Sequence, residues 1–164
     1  MDKTSISIST STSATMIGFS ATIITLLVTL TRDIENVRGF QFTLGFYILA
    51  IVFSFIAIEF FTLAAWDIEK NYNRWSTIGS SFYGPAKSSM IVGISLTFVV
   101  IMDLFVLACF TISLFFIGYI FYYALRHLIK KEGEFKRLRW FVRSIIFSEL
   151  FIGLLLVLWI KNYI

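Results

Sequence analysis

Three carboxylates fall inside long apolar runs: Glu59, Asp103 and Glu149. In hydrocarbon a carboxyl group can hold a proton, meet a cation or accept a hydrogen bond from a neighbouring helix. Leaving it ionised near the middle of a bilayer costs about 2.5–3.5 kcal/mol on insertion scales. Each must therefore be neutral, hydrogen-bonded, or turned towards water or a cation. No Lys or Arg occupies a matching depth in the sequence, so neutralisation by an ion pair within the chain is not expected. The functional reading is a proton relay or cation path, with Glu59 its leading member; the structural reading is interhelical hydrogen bonding. At 1.5 Å per helical residue, Glu59 falls about 6 Å outward of the middle of its span and Glu149 about one turn inward of its own. Asp103 depends on where its segment crosses. Three carboxyls at three levels do not make one metal site, and a di-iron centre would also need histidines.

A second pattern is one of small and hydroxyl residues. Gly18, Thr22, Thr25 and Thr29 follow spacings of four, three and four, which places them on one helix face. Ser89, Gly93, Thr97, Thr111, Gly118 and Tyr122 point within about 40° of one direction if the helix runs unbroken at 100° per residue. Small residues let helices approach closely in lipid, and Thr can bond back to its own backbone. Both faces are expected to be packing seams, paired with each other, or in the first case a pore lining built from several copies.

What is missing excludes most enzyme chemistry. His127 is the single histidine and Cys109 the single cysteine. A zinc site, a bis-His haem or an intrachain disulfide is excluded on ligand count. There is no phosphate-cradling Gly loop and no Ser/His/Asp set, so no catalytic residue, metal or cofactor is assigned. Seven Lys and Arg occupy 126–143: Arg126, Lys130, Lys131, Lys136, Arg137, Arg139 and Arg143. Such a cluster attracts anionic lipid headgroups and also sets topology. With no soluble domain to carry it, nucleic-acid binding is not expected.

The elements that must hold these groups are membrane-spanning helices. Of 164 residues, 58% are hydrophobic and 15% charged, and the mean hydropathy is +0.85. Soluble domains are about 45–50% apolar and about 25% charged. After a Ser/Thr-rich tail at 1–13, apolar runs at 14–30, 44–66, 90–125 and 144–160 predict an all-α bundle of four spans in one domain, 14–164. A span needs about 20 residues. The run 90–125 would extend about 54 Å as one helix. A hairpin near Asp103 would make five crossings, but Ile101-Met102-Asp103-Leu104-Phe105 offers neither Gly nor Pro for a turn. One long helix, bent at Gly93, is the favoured reading. The segment 67–89 reads as a loop on the membrane surface or folded over the bundle.

With four crossings, 126–143 and the first loop (Arg32, Arg38) carry nine cations, against five elsewhere (Lys3, Lys70, Arg74, Lys87, Lys161). The positive-inside rule then places 126–143 in the cytoplasm and both termini outside the cell membrane. The sequence thus predicts a non-catalytic membrane subunit, self-associating or accessory to other membrane subunits. The alternative is a homo-oligomeric channel or carrier for protons or small cations.

Overall fold

The structure, a computed structural model, describes residues 3–30, 38–66, 71–129 and 136–162, with side chains for all of these except 3–6, 30, 122–129 and 136. Among the described residues there are five helices and no strand: α1 (Lys3–Leu30), α2 (Phe40–Trp66), α3 (Tyr72–Val100), α4 (Phe105–Ile129) and α5 (Lys136–Ile160). The stretches Ser7–Thr29, Phe40–Trp66 and Arg137–Ile160 are long and apolar enough to cross a membrane, and Phe105–Phe121 is a shorter apolar helix. The chain is a multi-pass helical bundle.

The long third span is not one helix. α3 ends at Val100 and α4 begins at Phe105, and the turn between them rests on Asp103 at φ +57°. Asp is one of the few L-residues that enters the left-handed region readily, because its short polar side chain bonds locally. A turn was therefore available without Gly or Pro. The Leu104 amide donates to the Phe98 carbonyl at 2.8 Å, and the Ala108 amide donates to the Leu104 carbonyl at 3.1 Å. These bonds close the break from both sides.

The segment expected as a loop is also helical. Tyr72 to Ser89 form the first half of α3, which runs on without interruption past Pro85. Low hydropathy hid this helix. Its polarity is internal: the hydroxyls of Thr77, Ser80, Ser81, Ser95 and Thr97 each donate to the carbonyl four residues back, at 2.6–2.9 Å. A hydroxyl bonded to its own backbone enters an apolar setting at little cost. Residues 3–13 of the tail are likewise part of α1, where Thr12 and Thr15 bond back to Ile8 and Ser11.

α3 is the hub. It packs along α2 on one side and against α5 and α4 on the other, while α1 lies against α2 and touches α3 only marginally. The expected pairing of the first span with the third is therefore replaced by α1 on α2 and α2 on α3. Close approach comes from missing side chains. A Cβ at Gly93 would lie 3.2 Å from the Tyr47 ring, and one at Gly153 would lie 2.7 Å from Val92 Cγ1. Phe53, Phe82, Phe60 and Trp75 form a stacked aromatic run between α2 and α3, with centroids 5.9–6.4 Å apart.

One end of the bundle gathers Arg38, Asp103 and the end of α5. Arg38 donates to Asn162 and lies 3.8 Å over the Trp159 ring, while Lys161 pairs with Asp103. This is the Asp103 end. Trp75 and the starts of α1, α3 and α5 mark the other, so Lys3 and Asn162 lie at opposite ends. The expectation that both termini share one side depended on an unbroken third span.

Asp103 makes two contributions, a left-handed backbone and an exposed ion pair, which substitution separates. Asp103→Asn keeps the backbone and loses the pair, at a cost below about 1 kcal/mol. Asp103→Val strains the turn and loses about 1–2 kcal/mol more. Thermal unfolding in a mild detergent measures both; equal losses would remove the backbone argument.

Candidate functional site

The three intramembrane carboxylates have different fates. The Asp103 side chain is 78% exposed at the end of the bundle and is paired with Lys161, the chain cation that the sequence reading did not assign to it. It belongs to a turn, outside any path through the bundle. Glu59 is exposed on the outer face of α2 and has no partner among the described residues. Glu149 is buried at 7% exposure in the seam between α5 and α3. The structure does not bring the three together, and among the described residues no group of three or more His, Cys, Asp or Glu is placed to hold a metal.

Glu149 forms the buried polar site. Ser88 donates to its Oε2, and Ser89 donates to its Oε1 at 2.8 Å. Consecutive serines on a helix point about 100° apart, so together they embrace both oxygens of a carboxyl arriving from α5. Ser88 also lies 3.0 Å from the Pro85 carbonyl. Its hydroxyl has one hydrogen and two acceptor lone pairs. Given to Glu149, that hydrogen satisfies a carboxylate. Given to Pro85, it leaves the Ser88 oxygen free to accept from a neutral carboxyl. The site accommodates either protonation state without moving a helix.

Sequence reasoning missed Ser88 and Ser89 as partners because they fell at the end of the supposed loop. The signal was the carboxyl itself, which lacked a cation at its depth and so required donors. Ser-Ser, one turn past Pro85 in a segment rich in back-bonding hydroxyls, supplied them.

The two small-residue faces divide. Gly93 and Thr97 do form a seam, but with α2: Tyr47 donates to Thr97 Oγ1 at 3.1 Å, since Thr97 spends its own hydrogen on the Gly93 carbonyl. Thr111 and Gly118 lie on α4 beyond the turn, are not buried, and leave that seam altogether. Gly18, Thr22, Thr25 and Thr29 are exposed on the outside of α1. Buried instead on α1 are Ser13, Met16, Ser20 and Leu27.

The basic cluster is largely helical. Arg126 is in the last turn of α4, and Lys136, Arg137, Arg139 and Arg143 lie in the first two turns and beyond of α5. The guanidinium of Arg143 lies 5.8 Å over the Trp140 ring. Lys130 and Lys131 lie outside the described residues. Lys87, which had been grouped with the loop cations, projects from the middle of α3.

Comparison with protein-family models, with curated proteins and with solved structures finds no significant match for this chain.

Replacing Glu149 tests the polar seam. Glu149→Ala removes the acceptor of Ser89 and one of the two acceptors open to Ser88, and costs about 1–3 kcal/mol. Glu149→Gln, which keeps an acceptor oxygen and adds a donor, costs less than about 1 kcal/mol. Steric-trapping measurements of unfolding in lipid bicelles distinguish them. Identical losses would mean that the carboxyl oxygens are not what holds α5 to α3.

Proposed function

We propose that this chain is a non-catalytic integral membrane subunit that works by self-association, with the outer face of α1 as the joining surface. The observation that carries this reading is the disposition of Gly18, Thr22, Thr25 and Thr29. They face away from the bundle, nothing lies within 4 Å of a Cβ placed at Gly18, and all three hydroxyls are bonded to their own helix at 2.7–2.9 Å. Such a face asks nothing of lipid and gives a second helix close access to the α1 backbone, the geometry through which helices associate in membranes. Glu59 on α2, exposed and without a partner among the described residues, adds a second outward group that lipid alone solvates poorly.

The location follows from charge. On the described helices and turns, the Asp103 end carries Arg38 and Lys161, and the other carries Lys3, Arg74, Arg126, Lys136, Arg137, Arg139 and Arg143. Read by the positive-inside rule with five crossings, the Trp75 end faces the cytoplasm, with the start of α1 inside and the end of α5 outside. This keeps the basic cluster cytoplasmic and reverses the assignment of the N-terminus.

A second reading, a proton carrier, is favoured by one feature: Glu149 is satisfied in both protonation states in a seam between two helices.

In a Cys109→Ser background, Gly18→Cys or Thr25→Cys should give a disulfide-linked dimer of the 18.9 kDa chain in native membranes, while cysteines replacing the buried Ser13 or Ser20 should not. A cysteine at Asn162, and none at Lys3, should react with an impermeant maleimide from outside. Absence of the α1 dimer at native expression overturns self-association through this face. For the carrier reading, proteoliposomes under a pH gradient are expected to pass protons with Glu149 and to stop with Glu149→Gln; equal flux in the two disposes of it.

A further inference from the structure

Lys87 is an exposed cation in the middle of α3, and its surroundings specify what should meet it. It lies thirteen residues before the end of α3 at Val100, hence about 20 Å from the Asp103 end at 1.5 Å per residue. In a hydrocarbon core about 30 Å thick, that is about 10 Å below the opposite face. Its ammonium lies 4.2 Å from the centre of the Tyr83 ring, one turn nearer that face. The side chain is bent towards the nearer interface, as a lysine at such depth bends. Among the described residues it has no carboxylate partner. The neighbouring carboxyl, Glu149, is already engaged by Ser88 and Ser89.

Lys87 opens onto a groove of about 580 Å³ between α3, α4 and α5, a size within the usual range of about 300–1,000 Å³ for small-molecule sites. Ile91, Leu114, Phe115, Ile146 and Leu150 supply apolar walls. Gly118 leaves a gap in the α4 wall, with nothing within 4 Å of where its Cβ would be. Leu114 and Phe115 are themselves exposed, at 54% and 47%, so the groove opens sideways onto the lipid-facing surface rather than towards water.

We infer that this groove is a binding site for one anionic glycerophospholipid, its phosphate held by Lys87 and one acyl chain laid along the α4 wall at Leu114, Phe115 and Gly118. The charge selects an anionic headgroup, because an ammonium with no carboxylate partner among the described residues gains at this depth from a net negative partner and little from a neutral one. The apolar walls and the lateral opening select a membrane-borne anion over a soluble one. The ring of Tyr83 keeps the ammonium directed towards the leaflet from which that lipid would enter. Arg137, Arg139 and Arg143 lie at the same end of the bundle and raise the local concentration of anionic headgroups. This inference is independent of whether the chain self-associates.

The test uses the full chain in phosphatidylcholine vesicles containing a tracer of phosphatidylglycerol with a photoactivatable group in its acyl chain, with crosslinked peptides mapped by mass spectrometry. Expected is labelling of 114–118 that excess phosphatidylglycerol displaces and excess phosphatidylcholine or inorganic phosphate does not. Lys87→Met should lower that labelling about fivefold, the effect of removing one cation near a headgroup, and Lys87→Arg should retain it. Gly118→Phe should block it with the charge in place, and this keeps the test decisive if Lys87→Met fails to fold by circular dichroism. Labelling on the outer face of α1 should be unchanged throughout. Equal displacement by phosphatidylcholine, unchanged labelling of 114–118 in both Lys87→Met and Gly118→Phe, or displacement by inorganic phosphate each overturns the assignment.

Discussion

A backbone or side-chain polar group in hydrocarbon must find its partner within the protein, and the whole bundle follows from how α3 meets that condition. α3 is the most polar of the five helices, yet it is the one against which α2, α4 and α5 all pack. Its hydroxyls turn back on the carbonyls of the preceding turn, which leaves it with a short, smooth profile rather than a fringe of unmet donors. Once the hydroxyls are satisfied, small size becomes an advantage. Tyr47 closes on Gly93, Phe61 approaches Gly79, and Ile146 approaches Gly84, each where a Cβ would have stood 2.8–3.2 Å away. In lipid, helices gain little from hydrophobic burial against one another, and close van der Waals contact with a few hydrogen bonds must do the joining. A helix of serines and glycines supplies both.

The same logic explains what could be read from the residues and what could not. The apolar runs of α1, α2 and α5 were legible because composition alone identifies a helix that faces lipid. α3 was illegible by that measure because it faces protein, and a protein-facing helix in a membrane need not be apolar. The separation of the three carboxylates into different levels was legible from helical rise. Their partners were not: Lys161 meets Asp103 only because the chain reverses at 101–104, and Ser88 and Ser89 meet Glu149 only because the supposed loop is a helix. On α1 the periodicity marked a real face, but periodicity does not say which way a face points. Ser13, Met16, Ser20 and Leu27 define the buried side, and the glycine and threonine stripe falls on the other.

One local feature, the left-handed Asp103, therefore changes the arrangement at every level above it. It ends the third helix at Val100 and starts a fourth at Phe105, in place of one continuous helix over the apolar run. It returns the end of α5 to the neighbourhood of Arg38, where Arg38 meets Trp159 and Asn162 and Lys161 pairs with Asp103, so that three segments are fastened together. It also moves the basic start of α5 to the end shared with the start of α1. On the described helices and turns, the Trp75 end carries Lys3, Arg74, Arg126, Lys136, Arg137, Arg139 and Arg143, and the Asp103 end carries Arg38 and Lys161.

The opposite charges of Lys87 and Glu149 sit close in the fold without forming an ion pair, and helix geometry accounts for it. Residues 87 and 88 are neighbours in sequence, but their side chains leave α3 about 100° apart. Ser88 and Ser89 fall on the side facing α5, so a carboxyl from that helix meets hydroxyls. Lys87 falls on the side facing the groove, so it meets aromatic and aliphatic surface. As built, the carboxyl is satisfied by groups that serve it with or without its proton, while the ammonium is left addressed to the membrane. Glu149 stays within the seam between α5 and α3, and Lys87 opens onto the groove between α3, α4 and α5.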